Sequence, residues 1–308
     1  MAAFSEDFLA LRVFVSCLGL VGNVFLIISI LRIKLSRVKS FELFLLGLAS
    51  ANLEEIIIIN IYETIILQTS SVPIGTWSCR VLKFLTVFGE ITSILFTVLI
   101  SIFRYQKLSD VSKRANLPIY LDNLGSACMM SGVCVALSSL FSLPIFVMNL
   151  QGSAGNVTRI SSGCPPDFFQ CNKNNCPILN RLYKYVFMLV CHLVPLIIVT
   201  VTGCLILTVL LSQRKKVIPI DSVSGSRQIG KTSKDTRFQR STVAVLAAMG
   251  LFQVDWTFYL ILQLTLSQTD VPFWAEIEFF ISTSYTSISP YVYGVGNNLF
   301  SLKNFLKK

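Results

Sequence analysis

The chain is poor in charge and almost empty of histidine. Only 14% of its 308 residues are charged, and His192 is its one histidine. A soluble domain carries about 25% charged residues, so a pair of ordinary soluble domains is excluded. One histidine leaves little for a metal centre or a nucleophile–base pair, which argues against an enzyme and implies no cofactor. No cleavable leader is expected: only residues 1–8 precede the first apolar run, and Glu6 and Asp7 stand where a leader carries positive charge. The two halves share no internal repeat of the kind many transporters have.

What the chain has in excess is oil: 53% of its residues are hydrophobic. A helix needs about 20 apolar residues to cross a bilayer. Seven stretches qualify, at 9–32, 42–68, 79–103, 124–149, 184–211, 241–266 and 273–295. Glu54, Glu55 and Glu63 interrupt the second, and Glu276 and Glu278 open the seventh. Nineteen of the 26 Lys and Arg residues follow spans one, three and five or lie in the C-terminal tail. Cationic loops stay in the cytosol. The expectation is an all-α membrane protein, one seven-transmembrane bundle over residues 1–308, N-terminus outside and C-terminus inside. The net charge of +10 then lies against an anionic leaflet and needs no nucleic acid. Residues 297–308 alternate Leu299, Phe300, Leu302, Phe305 and Leu306 with lysines and read as an amphipathic helix on the inner surface of the bilayer.

The outer loops support this topology. Asn156-Val157-Thr158, between spans four and five, is the one N-x-S/T glycosylation site. Cys79, Cys164, Cys171 and Cys176 all fall outside, where thiols oxidise; four cysteines allow three pairings. A zinc site there lacks a nearby histidine. "GSRQIGKT", residues 225–232, matches a phosphate-binding loop, but that loop needs a buried strand before it, and "VIPIDSVS" is not one. It reads as a basic cytoplasmic loop.

Seven spans in this orientation suggest a G-protein-coupled receptor, and several short stretches resemble that family's motifs in order. "GN" (Gly22-Asn23) lies in the first span, "LASAN" (Leu48 to Asn52) in the second, and Cys79 opens the third. Arg104 closes the third in "FRYQKL", at the family's spacing from the cysteine. Pro195 interrupts the fifth span, and "SPYVY" (Ser289 to Tyr293) lies in the seventh. The chain departs from rhodopsin-like receptors at Phe103, where they have an acid, and at Asn52, where they have aspartate. The first removes the neighbouring ion pair, and the second puts sodium binding in doubt. Its sixth span reads "GLFQVDWTFY" without C-W-x-P, and Ser289 precedes Pro290. In these departures it resembles the vomeronasal type-1 pheromone receptors, and "FRYQKL" with "SPYVYGVGNN" resembles their fish relatives, the olfactory-receptor-class-A-related proteins.

That resemblance implies a multi-pass plasma-membrane receptor for a small-molecule pheromone or odorant, acting through a heterotrimeric G protein. It implies that Arg104 and Tyr105 meet the G protein and that Asn52, Pro290 and Tyr293 take part in activation. It implies a disulfide from Cys79 to one of Cys164, Cys171 and Cys176. A bitter-taste-type receptor is the alternative within the class; a seven-helix transporter or channel is the alternative outside it.

Charge within hydrocarbon is expensive and marks function. Glu90 lies eleven residues along from Cys79, about 16 Å into the membrane. Asp255 lies in span six, His192 a turn above Pro195, and Glu63 and Glu278 at outer ends. With Trp256 and Tyr259, and with Phe88, Phe258, Phe279 and Tyr285 as further walls, these are the expected ligand-binding residues, an apolar pocket with few polar groups.

Overall fold

The computed structural model describes residues 2–32, 39–68, 76–113, 120–147, 178–217, 229–265 and 274–300. Among them there are helices and turns but no strand. The helices are α1 (Ala2–Leu31), α2 (Ser40–Gln68), α3 (Thr76–Lys113) and α4 (Leu124–Ser142). α5 runs as Ile178–Phe187, a π-helical stretch Met188–Leu193, and Val194–Val217; α6 is Ile229–Thr265 and α7 is Trp274–Gly296. Six of the seven hold a stretch long and apolar enough to cross a membrane. The seven form the expected helical bundle.

Several helices outrun their apolar stretches. α3 continues past Arg104 to Lys113, α6 starts twelve residues before Ser241, and α5 starts at Ile178. Apolarity measures the hydrocarbon thickness, whereas a helix runs on into water until something breaks it, and no proline stands in 104–113 or 229–240. Gly230, Lys231 and Thr232, the end of the phosphate-loop-like stretch, are accordingly helical.

The surface is inverted relative to that of a soluble protein. Phe14, Val21, Leu140, Val201, Ile261 and Leu264 are each more than half exposed. An apolar shell of this extent is stable only against lipid. α3 is the enclosed hub, with 67% of its span buried against 22% for α4 and for α5. Leu45, Leu48, Ile94, Leu99, Met249, Phe252 and Tyr293 belong to one core cluster along it. Hydroxyls inside the spans return to the helix: Thr92 donates to Phe88 O (2.6 Å), Ser138 to Cys134 O (2.9 Å) and Thr208 to Cys204 O (2.8 Å). With no water available, this is how a polar side chain is accommodated in hydrocarbon.

Two prolines shape the bundle. Pro290 sits inside α7 and cannot donate to the carbonyl four residues back, that of Thr286. The Asn23 amide takes over that acceptor, its Nδ2 lying 2.9 Å from Thr286 O and 2.9 Å from Gly19 O. Pro195 follows the π-helical stretch, where the Val194 N–H reaches back five residues to Leu189 O. A widened turn of this kind rotates the residues within it relative to an α-helix, and such turns are frequent at functional sites.

Candidate functional site

The charged and polar side chains gather at three depths. At the inner mouth is Arg104, 6% exposed. Its Nη2 donates to Ser241 Oγ on α6 and, at 3.2 Å, to Asn297 Oδ1 just beyond α7. Ser241 Oγ donates to the same Asn297 oxygen at 2.5 Å. Asn297 is aimed by the end of its helix. Asn298 adopts φ 56°, a left-handed conformation that asparagine tolerates, and the Leu299 N–H returns to Gly294 O at 2.9 Å. The Asn297 amide nitrogen is spent on Tyr293 O (2.8 Å), so its oxygen faces the arginine.

Phe103, which replaces the family's acid, packs on Phe41 and Phe44 at centroid distances of 6.2 and 5.7 Å. The Arg104 guanidinium lies over the Phe41 ring, 3.7 Å from its centroid. An aromatic face thus stands where a carboxylate would, and such a contact is worth roughly 2 kcal/mol when desolvated. Tyr105 is half-buried at the margin of the core.

At mid-depth lies Asn52, 1% exposed. Its Nδ2 meets Ser289 Oγ at 3.2 Å and Asn23 Oδ1 at 3.4 Å, and its Oδ1 accepts from Ser93 Oγ at 2.6 Å. The amide therefore links α1, α2, α3 and α7 with donors and acceptor both used. Thr97 and Tyr285 join α3 to α7 at 2.8 Å next to this network.

In the outer half, His192 is brought inward by the π-helical stretch. Its Nε2 lies 3.5 Å from Glu90 Oε1, its side chain 0% exposed and that of Glu90 12%. Rings enclose it: Trp256 at 4.7 Å, Phe187 at 4.9 Å and Tyr259 at 5.0 Å between centroids. α3, α5 and α6 thus converge on one point through Glu90, His192, Trp256 and Tyr259.

Other expected residues lie elsewhere. Asp255 turns to α7, where it accepts from Ser284 Oγ at 2.7 Å. Phe258 is 59% exposed and faces out of the bundle, not into it, because it is two positions from Trp256 on one helix. Phe279 lies under the Arg12 guanidinium at 4.3 Å. Cys79 is buried and disulfide-bonded, while Cys17, Cys128, Cys134, Cys191 and Cys204 are free. Cys164, Cys171, Cys176, Asn156, residues 301–308 and the side chains of Glu63 and Glu278 lie outside the described residues.

Ser241 and Asn297, the polar partners of Arg104, were not singled out by sequence reasoning, nor was Ser93. No spacing rule names them, since each contact joins different helices. The doubled asparagine of "GVGNN" was the one available hint.

Residues 22–293 match the family of seven-transmembrane receptors described as rhodopsin family. The chain belongs to that family, one of receptors rather than enzymes, and is a multi-pass protein of the plasma membrane. It is 26% identical over 284 residues to a gonadotropin-releasing hormone receptor of Octopus vulgaris, covering 89% of this chain. The matched stretch spans 66% of that relative's length, just under two thirds.

Proposed function

We propose that the chain is a chemosensory receptor of the vomeronasal type-1 kind, binding a small molecule in the outer half of the bundle and activating a heterotrimeric G protein at its inner face. The observation that carries this reading is the position of Arg104. It ends the transmembrane part of α3 and is tied at once to α6 and to the end of α7. An outward movement of α6 breaks that tie and frees the guanidinium for a cytosolic partner. Glu90, His192, Trp256 and Tyr259 form the ligand site, with Asp255, Glu63 and Glu278 at its borders. Asn52, Pro290 and Tyr293 carry the change inward, and Arg104 with Tyr105 meets the G protein. Residues 1–308 form one domain, N-terminus outside, with Asn156 glycosylated and Cys79 joined to one of Cys164, Cys171 and Cys176.

The pheromone or odorant ligand is supported by Ala51-Asn52, Val254-Asp255 and Ser289-Pro290. A second reading, a hormone ligand, is favoured by the octopus relative. The test is expression with a promiscuous Gα subunit and a calcium reporter, against amines, acids, steroids and gonadotropin-releasing hormone. A small-molecule response that Arg104→Ala abolishes at unchanged surface level is expected. Full signalling by Arg104→Ala overturns the role of the arginine, and a response to the hormone alone favours the second reading.

A further inference from the structure

The outer half of the bundle holds more carboxyl groups than that of the Glu90–His192 pair alone. Glu54 and Glu55 on α2 lean over Gly89, the residue before Glu90. A methyl group at Gly89 would collide with the Glu54 carboxylate and lie 3.2 Å from Glu55 Cβ. Glu55 is 2% exposed, and Glu54 and Glu90 both act on it electrostatically. Both carboxylate oxygens of Glu54 are buried without a hydrogen-bond partner. Among the described residues, no lysine or arginine pairs with Glu54 or Glu55. Carboxyl groups gathered at this depth ionise only beside a compensating cation.

A second observation points into the same place. His192 is buried, both its ring nitrogens lack a hydrogen bond, and Nε2 is aimed at Glu90. Trp256, 4% exposed, leaves its Nε1–H without an acceptor beside it. The nature of the missing cation follows from the spacing. No three His, Cys, Asp or Glu side chains among the described residues converge to hold a metal ion. The carboxylates are too dispersed for a point ion, and the opposite wall is aromatic: Phe187, Trp256 and Tyr259 around the imidazole. Carboxylates on one side and ring faces on the other are what an ammonium group on an apolar body requires.

We infer that the ligand is an organic amine, its ammonium nitrogen bound beside the Glu90–His192 pair, with Glu54 and Glu55 behind and its apolar body against Trp256 and Tyr259. This deepens the small-molecule receptor function proposed above and rests on it.

The test uses the full chain in lipid nanodiscs and three probes that differ in their head group: phenethylamine, phenylacetate and 2-phenylethanol. Thermal stabilisation is expected from phenethylamine at concentrations at least tenfold below those of the other two. Glu55→Gln and Glu90→Gln are each expected to raise the phenethylamine concentration required by tenfold or more. The comparison of probes on the unaltered chain stands even if a variant fails to fold. Equal or better stabilisation by phenylacetate or 2-phenylethanol overturns the inference, as does no effect of the amine up to about 10 mM. Basal nucleotide exchange on a purified G protein, read in the same nanodiscs, separates the two failures. Exchange with no amine effect overturns the ligand class alone, whereas no exchange under any condition overturns the receptor function as well.

Discussion

At the scale of single residues, the inner mouth of this receptor keeps its arginine in place without a carboxylate. Ser241 and Asn297 accept its hydrogen bonds and Phe41 covers its face. Hydrogen bonds to a charged group are worth about 1.5–3 kcal/mol, and 1.4 kcal/mol is tenfold in an equilibrium. Ser241→Ala or Asn297→Ala is therefore expected to raise ligand-independent nucleotide exchange by roughly tenfold; unchanged basal exchange in both variants would mean that the contacts do not hold the resting state. Asn23 answers a different need, the carbonyl that Pro290 leaves open. Asn23→Leu keeps the branched shape and strands the Thr286 carbonyl, at a cost of about 1–3 kcal/mol, and a lowered melting temperature in detergent checks it. Asn52 has both ends of its amide satisfied by Ser289, Asn23 and Ser93. Sodium is accordingly expected to leave agonist affinity unchanged in the native chain, as measured by agonist titration in sodium against choline chloride. A sodium-dependent loss of affinity would contradict it.

At the scale of elements, the close approach of α6 and α7 at their inner ends holds Ser241 and Asn297 together. Gly296 lies against Ala244 so closely that an added methyl group would collide with the Ala244 Cβ and come within 3.6 Å of its Cα. The Ala244 Cβ is fixed to the backbone and cannot yield as the far end of a flexible side chain does. Gly296→Val is expected to cost about 1–3 kcal/mol from overpacking and to push α6 outward, so the melting temperature falls while basal exchange rises. A fall in both would show that the helices separate without activating. The π-helical stretch of α5 is the other element with a task, since it turns His192 toward Glu90. Its presence was not legible in "MLVCHLVP": a widened turn leaves no mark on hydrophobicity, and the proline beside it is equally compatible with a kink. Element existence, by contrast, was read well, because hydrocarbon thickness imposes a length on apolar runs. Element ends were not, because the charged extensions of α3 and α6 look like loop by composition.

At the scale of the whole molecule, the distribution of Lys and Arg and the buried position of Cys79 make a topology that cell-surface labelling checks. An N-terminal tag is expected to be labelled on intact cells and a C-terminal tag only after permeabilisation. Glycosidase treatment is expected to shift the native chain but not Asn156→Gln. A shift that survives in Asn156→Gln would move the glycan elsewhere.

The sequence by itself determined the seven crossings, their orientation, and the identity of the residues that are costly in hydrocarbon, because each of these follows from the transfer of side chains between water and lipid. Glu90, Asp255 and His192 were visible for that reason, whereas Arg104 and Asn52 stood out through short motifs shared with the receptor family. Only the tertiary structure decided which of them meet. It joined His192 to Glu90 but turned Asp255 to Ser284, gave Arg104 a serine, an asparagine and a phenylalanine in place of an acid, and left Phe258 exposed on the outside of the bundle. Such pairings depend on helix rotation and on distances of a few ångströms between segments far apart in the chain. Those are set by how all the helices pack at once, which no local pattern encodes.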